Sequence, residues 1–558
     1  MAEEFSEEAA QHTLALNPLV ALRWQDLAGS AKATVRAAVS QPGAVTRYGF
    51  EVAAEWLKVL AGESDATVKP GDRRFADKTW STSTLHRAGL QAYLAWGDAV
   101  ANLVAGLDLP EEDAARARLL STILVDTLAP TNFLLLNPAA ARELVDTGGR
   151  SAVTGLINFL TDMANNDGLP SSVDTSKFEL GKNIATTPGA VVFRNDVLEL
   201  VQYTPSTETV DQRPLIVVPP QINKYYSFDL SPEKSLVKYL AENGIQVFCV
   251  SWRNPTRKQA DWGLDTYVQA LDEGVDAALA ITGADTVNIE GACSGGITLT
   301  AYLAWLAGRS VRKVNSVTLA VCVLDPESAG ANDLTALATP ETLKAAKAVS
   351  QARGVLDGAE LAKMFAWMRP NDLIWNYWVN NYLMGRKPPA FDVLYWNADT
   401  TRLPARLHSD YLDIGLNNPF VNPGAMVIDG VPIDLAKVDH ETFVVAGTTD
   451  HITPWNGVYK TARLYGAGTT FVLSNSGHLQ SILNPPGKPK AWYRVGPATA
   501  DTPDRWIATA EKCAGSWWPA WIEFLHARSG GTVTASSAPG TATYPPLAPA
   551  PGTYVFEE

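Results

Sequence analysis

The chain has 558 residues, 46% of them apolar and 19% charged, with a formal net charge of −14. Such a length points to two domains with a large insertion, and the apolar share excludes disorder as the overall state. The negative charge, with no Lys/Arg run against it, excludes a nucleic-acid footprint, and a polyanionic substrate needs a local basic patch.

Residues 1 to about 175 read as helical. Val45 to Leu60 and Leu85 to Leu107 carry apolar residues at helical spacing, and Pro70-Gly71-Asp72 marks a turn between them. No titratable cluster stands out there, so this region reads as a packing or docking domain. The N-terminus, MAEEFSEEAAQ, is acidic and has no apolar core, so no secretory signal is expected. No apolar stretch approaches the length of a membrane span, which makes a cytoplasmic protein the expectation.

The pattern changes near Phe178. Gly189–Phe193 and Leu198–Tyr203 predict a hairpin, and Pro214–Val218 a third strand. Ser231-Pro232-Glu233 predicts a helix start, with Gly244 past its end. Then follow a strand at Ile245–Ser251, a helix at Asp265–Ile281, a strand at Thr286–Glu290 and a helix at Ile297–Leu306 closed by Gly308. Further strands are predicted at Ser316–Leu324, Glu441–Ala446 and Thr469–Ser474. Strands alternating with helices after an antiparallel start predict a mostly parallel sheet covered on both faces. The Trp- and Pro-rich stretch from about 327 to 435 interrupts that rhythm and reads as a cap inserted between core strands. The segment after about Gly530, rich in Gly, Pro, Ala, Ser and Thr, reads as a loosely ordered tail. The expected domains are thus 1–175, 176–530 and 531–558. The seventeen tryptophans cluster at Trp367, Trp375, Trp378 and Trp396, and at Trp517, Trp518 and Trp521, as core fillers or as the lining of an apolar channel.

The sharpest chemical signal is Gly291-Ala292-Cys293-Ser294-Gly295-Gly296, between a strand and a helix. This is the nucleophile-elbow context of the α/β-hydrolase fold, with Cys as nucleophile. The turn is tight, so the positions two before and two after Cys293 must be small, and the helix N-terminus behind it favours thiolate. The Ser294 N–H points to an oxyanion hole. A second donor belongs in the loop Pro219–Lys224, near Gln221 or Ile222. His478, after the last predicted core strand, stands where the base belongs. Asp450, after the preceding strand, stands where the acid belongs, and the order Cys293, Asp450, His478 is that of the fold's triad. His451 is a rival base and Asp325 a rival acid. His12, His86, His408, His440 and His526 lack motif context. Cys249 and Cys322, mid-strand, and Cys513, beginning a helix, all read as small apolar fillers. The four cysteines are far apart with no Cys-x-x-Cys pair, so neither a zinc site nor a disulfide framework is expected.

Together these motifs resemble one family, the polyhydroxyalkanoate synthases. The likeness runs through GDRRFADKTW (Gly71 to Trp80), VVPPQINKYY (Val217 to Tyr226), SWRNPT (Ser251 to Thr256) and GACSGG at Cys293. It continues through MRPNDLIWNYWVNNYL (Met368 to Leu383), AGTTDHITPW (Ala446 to Trp455), SNSGHLQSILNPP (Ser474 to Pro486) and PGTY (Pro551 to Tyr554). It is strongest to the single-subunit group associated with medium-chain monomers, class II. The resemblance implies polymerisation of (R)-3-hydroxyacyl-CoA into polyester with release of CoA. Cys293 would hold the acyl group as a thioester, and His478 would activate the thiol and the incoming 3-hydroxyl. Asp450 would orient His478 or assist deprotonation of that hydroxyl. It also implies a cap-covered site, a homodimer and attachment to polymer granules, and the acyl transfer needs no metal or organic cofactor. The competing functions are a Cys-type hydrolase of the same fold and a catalytically silent granule-coating protein.

Overall fold

The structure, a computed structural model, describes residues 24–69, 72–166, 168–326, 340–358, 370–450, 452–466 and 468–558. His12, Pro70, Gly71, Trp367 and His451 lie outside the described residues.

The N-terminal part is helical, as its periodicity predicts. Helices run over Trp24–Ser40, Pro42–Ala61, Thr84–Gly106, Glu111–Thr127, Pro138–Asp146 and Arg150–Asn165. A small aromatic core of Phe75, Trp80, Leu90 and Tyr93 holds part of this region together. None of the described helices is long and apolar enough to cross a membrane.

The rest is built on one large sheet. Its strands in chain order are β1 (Gly189–Arg194), β2 (Leu198–Tyr203), β3 (Leu215–Val218), β4 (Val247–Trp252), β5 (Val287–Ala292) and β6 (Val314–Ala320). After the inserted segment come β7 (Glu441–Gly447), β8 (Thr469–Ser474), β9 (Trp492–Pro497), β10 (Glu511–Ala514) and β11 (Ala548–Pro549). The spatial order is β10-β9-β8-β7-β6-β5-β3-β4-β2-β1-β11. From β4 through β8 every neighbouring pair is parallel, and the pairs outside them are antiparallel. This is the α/β-hydrolase fold, preceded by a helical region.

The physical cause lies in the strands. β3 and β5 are buried along their whole length, because helices cover both faces of the parallel centre. Along β3, Leu215 and Val217 enter one core while Ile216 and Val218 enter the other, the period-2 alternation of a pleated strand. The helix Ser294–Gly308 is buried nearly all round, which suits an apolar sequence with no polar face.

Several expectations are corrected here. The helix expected from Ser231 starts at Leu236, with Ser235 as its cap accepting from the Lys238 N–H at 3.1 Å. The buried Asp229 pins the intervening turn by accepting from Ser235 Oγ at 2.7 Å, while Ser231 Oγ donates to Asp392 at 2.8 Å. The strand expected to reach Leu324 stops at Ala320, since Val321 turns away at a φ of 46° and places Cys322 beyond the strand. Cys513 lies in β10 rather than at a helix start. The tail is not loose. Thr532–Thr534 pairs with Thr209–Asp211, β11 pairs with β1, and Tyr554 and Val555 are buried.

Candidate active site

Cys293 sits between β5 and the helix Ser294–Gly308 at φ 49° and ψ −120°. A non-glycine residue at positive φ is strained and persists only where its surroundings force it. Here they do. The Cys293 N–H donates to the Ala320 carbonyl at 2.9 Å, while the chain must enter the helix within one residue. A Cβ on Gly295 would stand 2.2 Å from the Val218 carbonyl oxygen, so the close approach of helix to β3 requires glycine. A Cβ on Gly291 would stand 2.8 Å from the Gly296 Cα, as the tight turn predicts.

His478 opens the short helix His478–Ile482 just after β8. Its Nδ1 lies 2.7 Å from Asp450 Oδ2 and 3.1 Å from Thr453 Oγ1. Asp450 is buried, and Oδ1 accepts from the N–H groups of Ile452 at 2.9 Å and Thr453 at 3.0 Å. Oδ2 also accepts from Thr453 Oγ1 at 2.7 Å. Burial pushes the Asp450 carboxyl up, but His478 and the Thr453 hydrogen bonds outweigh it and hold it below the usual range. For His478, burial favours the neutral ring. The charge and hydrogen bond of Asp450, and then the Cys293 thiol, outweigh burial and push it up to about 10. At neutral pH the ring is thus favoured in its protonated form, beside the Cys293 sulfur.

Cys293 and His478 line one pocket with Pro220, Ile222, Asn223 and Trp396. Phe228, Leu479 and Ile482 complete an apolar wall of this cleft. The loop after β3 is fixed by Gln221. Its N–H donates to Ser294 Oγ at 3.2 Å, its amide donates to Thr298 Oγ1 at 2.8 Å, and its Oε1 accepts from Tyr411 at 2.8 Å. With the Gln221 N–H so engaged, Ile222 is the candidate donor left of the two, beside the N–H of Ser294.

The rivals fall elsewhere. Asp325 accepts from Asn418 Nδ2 at 2.6 Å, whereas His478 takes Asp450. His408 is buried against Ser350 in the inserted segment, His526 faces Asp211, and His86 faces Ser83. His440 is largely buried, which pushes its ring down. Burial pushes the Cys249 and Cys322 thiols well up, so both behave as packing groups.

Thr453 was missed in the sequence, and three tryptophans expected there as core fillers or channel lining take specific roles. Thr453 clamps the Asp450 carboxylate, a role hidden in the AGTTDHITPW stretch because it is a turn contact three residues away. Trp396 brings the inserted segment onto the pocket by donating from Nε1 to the Lys224 carbonyl at 2.6 Å. Trp517 and Trp518 donate to the carbonyls of Ser481 and Ile482 at 2.8 and 3.0 Å, and so hold the His478 helix in place.

Comparison with known proteins agrees with this architecture. Residues 71–240 match the family model described as the poly-beta-hydroxybutyrate polymerase (PhaC) N-terminus, and residues 214–485 match the alpha/beta hydrolase fold. The poly(3-hydroxyalkanoate) polymerase 2 of Ectopseudomonas oleovorans is 49% identical over 97% of this chain and 96% of its own length. The poly(3-hydroxyalkanoate) polymerase subunit of Cupriavidus necator is 39% identical over 94% of this chain and 90% of its own. A monoacylglycerol lipase crystal structure from Paleococcus ferrophilus covers 59% of this chain and 99% of its own at 13% identity and a TM-score of 0.33, which adds nothing to the fold already described. With near-complete coverage at such identity, the chain belongs to the poly(3-hydroxyalkanoate) polymerase family.

Proposed function

We propose that the protein is a polyhydroxyalkanoate synthase that polymerises (R)-3-hydroxyacyl-CoA and releases CoA through a thioester on Cys293. The observation that carries the mechanism is the strained Cys293 facing His478, itself paired with Asp450 at 2.7 Å. The thiol proton passes to His478. The sulfur attacks the acyl-CoA carbonyl, the new C–S bond forms, and the CoA sulfur leaves with the proton returned by His478. The N–H groups of Ser294 and Ile222 stabilise the oxyanion that develops between these steps. The 3-hydroxyl of the next unit then gives its proton to His478, and its oxygen attacks the thioester. An ester bond forms and the Cys293 sulfur is freed. Asp450 keeps the ring oriented and its charge compensated.

Exchange of one thioester for another loses little energy, so the enzyme's task is to favour a hydroxyl over water. The apolar wall of Phe228, Trp396, Leu479 and Ile482 supports that selection by limiting water at the sulfur. The inserted segment, about 327–435, is the cap in this reading, residues 176–530 the catalytic domain, and residues 1–175 a docking domain. The exposed apolar side chains of the helical region suit the surface of a polyester granule in the cytoplasm. A homodimer and a preference for medium-chain monomers complete the proposal.

The test is CoA release from purified protein with (R)-3-hydroxybutyryl-CoA and with (R)-3-hydroxydecanoyl-CoA, with the product examined for insoluble polyester. Polymer with faster release from the longer substrate is the expected result. Release that yields only free hydroxy acid would make the protein a Cys-type hydrolase, and no release from either substrate would leave a granule-coating protein.

A further inference from the structure

The last eight residues described lie far from Cys293 in sequence, yet they end beside the loop after β3. Glu199 in β2 is fully buried. Its carboxylate accepts from the N–H groups of Thr553 at 2.8 Å and Tyr554 at 3.0 Å, from Thr553 Oγ1 at 2.6 Å, and from Arg194 Nε at 2.8 Å. A buried carboxylate with this many charge-assisted bonds is a fixed anchor. Gly552, at φ 91°, passes so close that a Cβ there would stand 2.5 Å from Glu199 Oε2. Arg253, just after β4, lies over the Tyr554 ring at 4.2 Å.

From that anchor the segment reaches the pocket loop at two consecutive residues. Tyr225 OH donates to the Pro551 carbonyl at 3.0 Å, and Lys224 Nζ donates to the Glu557 carbonyl. Asn254 and Arg402 grip the same end, donating to the carbonyls of Glu557 at 3.2 Å and Glu558 at 2.6 Å. On the other side of the loop, the Lys224 carbonyl accepts from Trp396, a wall of the pocket. The loop carrying Ile222 is therefore held between the C-terminal segment and the pocket wall.

We propose that residues 551–558 are a strap that positions the loop 219–224, and with it the Ile222 N–H, for oxyanion stabilisation, with Glu199 as its anchor. The proposal rests on the Cys293 acyl-transfer reading. Glu199, Tyr225 and Lys224 act through the loop and are positioning residues. Oxyanion donors act only if they stand at the right place before reaction, and a displacement near 1 Å costs about 10²-fold.

The test uses the full chain with Tyr225→Phe and, separately, Glu199→Gln. Two reactions of Cys293 are followed. Acylation by p-nitrophenyl butyrate passes through an oxyanion and is read as p-nitrophenol release. Alkylation by iodoacetamide has no oxyanion and is read by mass. Acylation is expected to slow at least about tenfold in either variant, with alkylation within about twofold of the unaltered chain. Unchanged acylation would overturn the strap. So would a parallel loss of both reactions, which marks general damage to the site, and so would absence of acylation in the unaltered chain. The ester probe reports on the loop whether or not polymer forms, so failure of the strap and failure of the polymerase reading are separate results.

Discussion

The sheet and the N-terminal helices treat their apolar residues in opposite ways. In the α/β part, apolar side chains vanish into two cores on either face of the sheet, and even the tryptophans at 517, 518 and 521 are at most 1% exposed, with every indole N–H bonded. In the helical part, Leu60 is 83% exposed and Leu135 and Val145 are each 76% exposed. The helix Arg150–Asn165 presents Val153, Leu156, Ile157, Leu160 and Met163 outward at helical spacing, while its Asp162 accepts from Tyr382 of the inserted segment at 2.7 Å. One region uses burial to hold in register the strand ends that carry Cys293, Asp450 and His478. The other keeps an apolar face open, which is what the proposed docking role needs.

Cys293→Ala is expected to lower CoA release by at least about 10⁴-fold, because no other described thiol is placed to replace it. Retained release would remove the chemistry from the sheet edge. Trp521→Ala should lower unfolding free energy by about 3–5 kcal/mol in denaturant titration, since it leaves a large void and strips Thr318 of its donor. Asp450→Asn should lower kcat by about 10²–10⁴-fold with a smaller change in KM, the loss of a correctly oriented and charged base.

A smaller effect concerns pH. The His478 pKa is raised from 6.5 to about 10, so its contribution to stability is complete below 6.5 and is lost as pH rises through about 10. The Asp450 pKa is lowered from 3.8, so its contribution is present above 3.8 and is lost as pH falls below it. Melting temperatures at pH 6.5 and pH 10 should differ less in Asp450→Asn than in the unaltered chain. An equal difference would show that the pair does not titrate as a unit. The smallest effect is expected in the other region: Leu160→Ala should change unfolding free energy by no more than about 0.5 kcal/mol, because its side chain is 58% exposed. A cost near that of Trp521→Ala would mean that the apolar face is covered in solution.

Much of the fold was legible. The apolar runs of β3 and β8 were found within a residue of their bounds, because a strand buried on both faces leaves little room for another reading. β9 and β10 were missed. β9 contains Arg494, Gly496 and Pro497, and β10 is mostly exposed, so neither carries the apolar alternation by which strands are recognised. They become strands only because β8 offers an edge to pair with. The tail was misread for a similar reason. Its Gly- and Pro-rich composition describes a chain with no core of its own, and it is ordered by an edge of β1 and by one buried carboxylate in β2.

The sequence by itself determined which residues stand at the ends of strands. A strand, a tight glycine turn and a helix are local features, and their order along the chain placed Cys293, Asp450 and His478 as candidates before any contact was known. Tertiary structure decided what those candidates touch. It paired His478 with Asp450 rather than Asp325, engaged the Gln221 N–H with Ser294, clamped Asp450 with Thr453, and brought the C-terminal segment to Lys224. Each of these choices depends on distances between segments remote along the chain. Such distances are set by how strands order in the sheet and how side chains fill both cores, which no local pattern encodes.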